Sequence, residues 1–378
     1  DKMIKRFLSY YKPHMRIFTL DMLASFAVSM IGIFYPIVTR KMLNDLIPNK
    51  EYALIVAFGV GLFTLYFVRM LLDYYIQYKG HVMGVLMQAQ MRREMFRHLQ
   101  TLPFSFYDNH ETGKIMSRLT NDLMQISELA HHGPETLIIS SFSIIVSFAY
   151  LCTIDVWLTL IIFACVPFLI LISATLRKKM NDAFMRSRES TARINASLEN
   201  SISGIRVTKA FTNSKTEEEK FEGGNQEFVR ARNDAYSAMG KFHSTTTFVT
   251  DVFNVIVLIA GGLFMYSGRI NFADYSAFIV SINVFLAPVR TLIGFIEQFQ
   301  DGATGFIRFC EIMDTESEKD SENASDLDSV SGHIELRNIV YGYTGDKDVL
   351  RDVSLDIKKG DTFALVGKSG GGKTTICH

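Results

Sequence analysis

Cysteine is scarce in this sequence and its charges cancel. The four cysteines among 378 residues, Cys152, Cys165, Cys310 and Cys377, are scattered without C-x-x-C spacing, two of them inside apolar runs. That distribution implies neither a disulfide framework nor a zinc site. Lys plus Arg number 39 and Asp plus Glu 39, so no global basic field exists to gather nucleic acid, and the partner class must be read from where the charges lie. No small-x-small cleavage site closes the N-terminal apolar run, which argues against a removable signal peptide. What is plentiful is hydrophobic: 48% of residues, high for a soluble protein.

The first sixteen residues carry Lys2, Lys5, Arg6, Lys12 and Arg16 among Phe7, Tyr10 and Tyr11, the make-up of an amphipathic helix lying on a membrane surface. Six runs then have the length and apolarity to cross a bilayer, which takes about 20 helical residues. They fall near 17–39, 53–76, 135–154, 156–176, 245–267 and 274–296. Cations are distributed unevenly between them. Arg92, Arg93, Arg97, Lys114 and Arg118 follow the second run and a dense set from Arg177 to Lys241 follows the fourth, whereas the opposite loops hold little beyond Arg40, Lys41, Lys50 and Arg269. By the positive-inside rule both long connections and both termini are cytosolic, in a multi-pass protein of the cell membrane in contact with lipid. Arg69, Asp73 and Asp155 interrupt the runs, as in buried helices of a large soluble protein, but Asp155 sits where a tight outer hairpin must surface.

The cytosolic connections are too long to be loops. No proline occurs from Gly80 to Gln100, and Val82, Val85, Leu86, Met91, Met95, Phe96 and Leu99 recur at helical spacing, so the second span continues past the membrane. Arg177 to Ser203 behaves likewise, up to Gly204. Each extension ends in a polar stretch, one around Tyr107, Asp108, Asn109, Thr112 and Gly113, the other around Phe211, Thr212 and Asn213. Either stretch fits a short helix lying across the tip, capped by Asp108 or Asn109 and by Thr212 or Asn213, or a solvated turn between helices.

Residues 314–332 are rich in Glu, Asp and Ser and read as a linker. From His333 the pattern alternates: Ile334-Glu335-Leu336, Tyr341-Gly342-Tyr343, Val353 to Ile357, then Lys359-Gly360-Asp361 turning into Phe363-Ala364-Leu365-Val366. These predict strands of a second, cytosolic domain. The last of them feeds Gly367-Lys368-Ser369-Gly370-Gly371-Gly372-Lys373-Thr374, which matches G-x-x-x-x-G-K-[ST] at every fixed position. Backbone N–H groups of such a loop point at phosphate oxygens, with Lys373 reaching the β- and γ-phosphates and the Thr374 hydroxyl on Mg²⁺.

Three other features are less specific. The neighbours His131 and His132 point apart on a helix and have no acidic partner at ligand spacing, so they read as surface or interface histidines. Arg69 and Asp73, four apart, can pair on one helical face. At membrane depth they line a cavity or form a structural ion pair. Tyr343 reads equally as a half-buried strand aromatic or as a ring that stacks on adenine.

Together these stretches resemble the half-transporters of the ATP-binding cassette (ABC) exporters, of the bacterial multidrug and lipid type. The matching segments are PFSFYDNHETGKIMSRLTND, ENSISGIRVTKAF, LAPVRTL and IELRNIVYGYTGDKDVLRDVSLDIKKGDTFALVGKSGGGKTT. The resemblance implies a mainly α membrane protein of the type IV exporter fold. Transmembrane residues 1–313 are followed by a linker over 314–332 and by the β-rich start, from 333, of an α/β P-loop nucleotide-binding domain. It makes Gly367 to Thr375 the Walker A loop, Tyr343 the adenine-stacking ring, and 107–114 and 211–217 coupling helices that dock on nucleotide-binding domains. It implies ATP and Mg²⁺ as cofactors, a second half-transporter as partner in a homodimer, and a small amphipathic substrate moved by alternating access. The family's Walker B, signature and switch motifs belong downstream of Lys373, so the resemblance also implies a C-terminally truncated piece of a longer transporter, with no catalytic residues of its own for hydrolysis. The rival readings are an ATP-regulated membrane protein on the same scaffold and a degenerate half of a heterodimer.

Overall fold

The computed structural model describes residues 2–320, 323–325, 329–342 and 348–377. It is mainly helical. Six helices long and apolar enough to cross a membrane run over Lys2–Leu46, Tyr52–Leu99, Thr112–Ile154, Val156–Ser203, Ser214–Tyr266 and Phe272–Met313, here spans 1 to 6. The shortest has 42 residues, about twice what the bilayer needs, so every span projects beyond the apolar layer. The chain divides into two compact units, Asp1–Met91 with Asn121–Arg308, and Arg92–Thr120 with Phe309–His378.

In the first unit span 1 packs on spans 2 and 3, and span 4 on span 5. An apolar cluster of Leu151, Leu158, Phe253, Phe278 and Phe285 joins spans 3 to 6, while Ala24, Val28 and Ile76 join spans 1 and 2. Large apolar side chains such as Phe63, Phe168 and Leu171 face outward, whereas Ser25, Ser147, Ser173 and Ser281 are buried. This inverts a soluble protein and suits lipid, where helix contacts favour small residues.

Local irregularities have covalent causes. Pro134 lies inside span 3 and has no N–H for the carbonyl of Ala130, four residues earlier. The Tyr11 hydroxyl donates to that carbonyl at 2.7 Å, so the orphaned acceptor is filled from the N-terminal segment. Span 4 breaks at Cys165, between helices Val156–Ala164 and Val166–Ser203, because Pro167 cannot bond back to Phe163. At the hairpin between spans 3 and 4, Asp155 accepts from the Leu158 N–H at 2.8 Å, capping the next helix, and pairs with Arg269 at 2.5 Å. Arg40 pairs with Asp274 at 2.7 Å and Lys41 with Asp45 at 3.2 Å. Three of the four cations in the short loops thus carry an acidic partner.

The extension of span 2 is helical as the sequence predicts, with a five-residue π-helical stretch at Ile76–Gly80. Its buried face, however, is a methionine row. Met83, Met87, Met91 and Met95 are fully buried while Val85, Leu86 and Phe96 are exposed. Methionine is unbranched and fills irregular gaps that stiffer side chains cannot.

In the second unit β1 (Ile334–Tyr341) and β2 (Leu350–Ile357) pair antiparallel, with Ile334 opposite Ile357 and Tyr341 opposite Leu350. The register shifts between Leu336 and Tyr341, where Asn338 and, across the ladder, Asp352 take positive φ, as in a bulge. The predicted turn at Lys359-Gly360-Asp361 is present, with Gly360 at φ 86° and the Asp361 N–H bonded to the Lys358 carbonyl at 3.0 Å. The strand predicted over Phe363–Val366 does not form; these residues carry no regular structure and Val366 is fully open to solvent. A strand exists only where a ladder partner satisfies its backbone, and among the described residues β1 and β2 pair only with each other.

Candidate functional site

The glycine-rich loop is built around two residues that need glycine. Gly370 and Gly372 take φ of 80° and 79°, where any side chain is strained, and a Cβ on Gly372 would lie 2.7 Å from Leu350 Cδ2. Between them the Gly371 N–H donates to the Lys368 carbonyl at 3.1 Å. The loop runs into the short helix Lys373–Cys377. Its first residue turns back over the loop: Lys373 Nζ donates to the carbonyls of Gly367 at 2.9 Å and Lys368 at 2.7 Å. The ammonium is therefore held over the loop by weak backbone acceptors, which an anion of higher charge density would replace. Gly367, Ser369 and Thr374 are open to solvent and Thr375 is half-buried. Tyr343 lies outside the described residues.

The same unit contains the polar stretch at the tip of spans 2 and 3. A short helix spans Phe104–Asn109 and the next helix begins at Thr112, which also carries Gly113. Asp108 and Asn109 do not cap a helix start. They lie at the end of the short helix, whose N-terminal flank is Pro103, and Glu111 flanks the following one. Pro103 stands extended just ahead of the first helical turn, where its missing N–H forfeits no helical bond. The Asn109 amide instead donates back to the Ser105 carbonyl at 2.8 Å, and the Tyr107 hydroxyl donates to the Leu99 carbonyl, pinning the short helix to the long one. Phe104, Asp108 and Asn109 border a cavity of about 920 Å³ together with Ile339, Thr374 and Ile376. The short helix and the helix begun by Lys373 thus face one cleft.

The second polar stretch is not a helix over 211–217. A short helix covers Ile205–Ala210 and the long helix of span 5 starts at Ser214, leaving Phe211, Thr212 and Asn213 as the turn. Thr212 sits at φ 48°. Asn213 flanks the long helix without a side-chain capping bond, and its own N–H is turned back onto the Thr208 carbonyl at 2.9 Å. Phe211 is 79% exposed.

Arg69 and Asp73 form an ion pair at 3.6 Å, both about half exposed. Arg69 also lines a cavity of about 740 Å³ among the spans, with Tyr35, Tyr66, Glu135 and Asn283; Asp73 is not part of that wall. The histidine pair departs most from its sequence reading. His131 is buried, and carboxylates of Asp21, Glu128 and Glu135 surround the two rings. His81, which no local pattern singles out, completes the group.

Residues 18–289 match the ABC transporter transmembrane region. The chain is 36% identical over 376 residues to an ABC transporter ATP-binding protein of Bacillus subtilis, YwjA, covering 99% of this chain and 65% of the relative. It is 26% identical over 381 residues to YgaD of the same organism, described as a putative multidrug export ATP-binding/permease protein, covering 99% and 66%. A fatty acid ABC transporter ATP-binding/permease protein of Mycobacterium tuberculosis is 29% identical over 290 residues, 77% of this chain and 46% of the relative. The chain thus spans at most about two-thirds of these relatives' length.

Proposed function

The chain belongs to the ABC transporter family, whose transmembrane region matches most of it, and on that premise we propose that it is half of an ATP-driven exporter. As a dimer it moves an amphipathic or lipophilic compound outward across the cytoplasmic membrane by alternating access. The observation that carries this reading is the cleft bordered both by Phe104–Asn109 and by the helix that opens with Lys373. A nucleotide that shifts the P-loop acts there on a short helix continuous with spans 2 and 3.

The loop suits a nucleoside triphosphate. Glycines at positive φ keep side chains off its backbone, and the Lys373 ammonium already lies over it. Gly367 to Thr375 hold the phosphates, Thr374 supplies a hydroxyl to Mg²⁺, and Tyr343 stacks on the base. Bound ATP supplies the free energy of the cycle. Residues 1–313 form the membrane part, 314–332 a linker and 333 onward the ATP-binding part. The exposed Phe211, in the turn ahead of span 5, docks on the nucleotide-binding domain of the second copy.

The 740 Å³ cavity is the place for cargo. Its wall sets two tyrosine rings beside Arg69 and Glu135, a mixture suited to a molecule with an apolar body and a polar end. Both termini are cytosolic, in keeping with the many cations of the long connections and the few of the short loops.

The test is ATP-dependent uptake of a lipophilic dye into inside-out proteoliposomes containing the full-length transporter. Uptake that disappears in Lys373→Ala supports the reading, and uptake that survives the substitution overturns it.

A further inference from the structure

Two spans bring three imidazoles to one point. His81 follows the π-helical stretch of span 2, and His131 with His132 lie in span 3. Adjacent residues on a helix diverge by about 100°, yet the ring centroids of His131 and His132 are 4.5 Å apart, and both lie within 4.9 Å of the His81 centroid. One ring nitrogen from each falls within 4.8 Å of the others.

The group is ringed by carboxylates. Asp21 of span 1 lies 3.7 Å from His131 Nδ1, and Glu135 Oε2 lies 3.4 Å from His131 Nε2 and 3.0 Å from His132 Nδ1. Glu128 is 3.5 Å from His132 Nε2. The innermost members are left unsatisfied. Both oxygens of the fully buried Asp21, and both ring nitrogens of His131, which is 2% exposed, make no hydrogen bond. A buried carboxylate without partners is expensive. Three neutral imidazoles facing one another leave lone pairs in opposition, and protonating them all would set like charges at contact distance. The backbone contributes too: a Cβ on Gly80 would lie 1.8 Å from His131 Cε1, so the chain closes on that ring as only glycine allows.

We propose that His81, His131, His132 and Glu135 bind a divalent transition-metal ion of the Zn²⁺ class, with Asp21 behind His131. A cation takes up the opposed lone pairs and balances the buried carboxylates in one step. Imidazole-rich donors select Zn²⁺ and its neighbours over Mg²⁺ or Ca²⁺, which take oxygen. The groups behind each ring assign the nitrogens. His81 Nδ1 is tied to the Gln77 carbonyl at 2.6 Å, leaving Nε2 for the metal; His131 turns Nδ1 to Asp21 and offers Nε2. His132 turns Nε2 to Glu128 and offers Nδ1, which in the metal-free chain is hydrogen-bonded to Glu135 at 3.0 Å. Each ligand thereby has the carbonyl or carboxylate partner usual behind metal-bound histidine. Zn–N bonds of about 2.0–2.1 Å set tetrahedral nitrogens about 3.3 Å apart, a tightening that side-chain torsions can supply. The ion fastens spans 2 and 3 together, with span 1 held through Asp21. Glu135 also lines the 740 Å³ cavity, so the fastening adjoins that cavity.

The experiment uses the full-length transporter, purified on a histidine-free tag in detergent, stripped with chelator and titrated with Zn²⁺ or Co²⁺ alone. Expected are one Zn²⁺ per chain retained through desalting, a visible tetrahedral spectrum with Co²⁺, and a raised Tm with Zn²⁺. His81→Gln and His132→Gln, at half-exposed positions that spare the core, each weaken Zn²⁺ at least about 100-fold, while His243→Gln leaves it unchanged. Absence of stoichiometric retention, or Zn²⁺ affinity equal in wild type and His81→Gln, overturns the proposal.

Discussion

The Tyr11 hydroxyl fills the one backbone acceptor of span 3 that Pro134 leaves open, the Ala130 carbonyl, at 2.7 Å. A hydrogen bond 119 positions apart in sequence thereby repairs a local defect. Tyr11→Phe leaves a buried carbonyl unpaired and is expected to lower stability by about 1–3 kcal/mol. Pro134→Ala restores the helical N–H, so in its presence Tyr11→Phe has a much smaller effect. Thermal unfolding of the two single variants and the double variant in detergent measures this coupling, and additive effects would dismiss it.

The hairpin between spans 3 and 4 is sensitive to acid. Burial pushes the Asp155 carboxyl up, but the Leu158 N–H, the Arg269 guanidinium and the Trp157 N–H outweigh it and hold it below the ordinary 3.8. A carboxyl lowered in the folded state contributes stability above its unfolded value and loses it as pH falls through the folded one. Wild type is expected to lose Tm more steeply than Asp155→Asn as pH is lowered below 3.8, while near neutrality the variant keeps the cap and is less stable by about 0.2–1 kcal/mol from the lost Arg269 pair. Parallel acid-side slopes would refute the assignment.

The strand pair responds in the opposite direction. His333 pairs with Asp356 at the open end of β1 and β2, and that hydrogen bond, then the carboxylate charge, hold the imidazole above the ordinary 6.5. A raised group contributes stability below its unfolded value, and the contribution fades as pH rises through the folded one. Amide exchange in β1 and β2 should therefore accelerate above pH 6.5 beyond the intrinsic base dependence, and His333→Gln should remove the excess.

Within the P-loop, Gly372 and Gly367 are not equivalent. Alanine at 372 meets Leu350 at 2.7 Å and a φ of 79°, whereas alanine at 367 meets nothing within 4 Å. Gly372→Ala is expected to cost about 1–3 kcal/mol and to weaken nucleotide binding, and Gly367→Ala to do much less. Binding of a fluorescent ATP analogue to the full-length variants ranks them, and equal losses would contradict this geometry.

Lys373→Ala removes the ammonium held over the loop. Losing a charge-assisted hydrogen bond corresponds to about a ten- to hundredfold drop in affinity. The same analogue measures it, and unchanged affinity would place the phosphates elsewhere.

The long elements were legible because their signals are local and repeated. Apolar length marks all six spans, alternation marks β1 and β2, and a missing proline marks the extension of span 2. Features set by partners distant in sequence left no such trace. Nothing near Phe363–Val366 says that a strand pattern lacks a ladder neighbour. The apolar positions 82 to 99 do not tell the buried methionine row from the exposed Val85 and Phe96. Asp108 and Asn109 have capping chemistry, but Pro103 opens the helix earlier. His81 is fifty residues from His131, and Asp21 is farther still, so only the packing of spans 1 to 3 reveals their grouping. Glu128 and Glu135 were within reach, at helical spacings of three and four from the histidine pair.

The serines buried among the spans bear on movement. Ser25, Ser147 and Ser173 leave their hydroxyls without partners, and Ser281 folds its own back onto the Ala277 carbonyl at 2.7 Å. None of these bonds crosses from one helix to another. Large side chains interlock like teeth and must unlock before helices can slide, but a short hydroxyl has little to disengage. At these four positions a shift of one helix against its neighbour breaks no serine hydrogen bond between them.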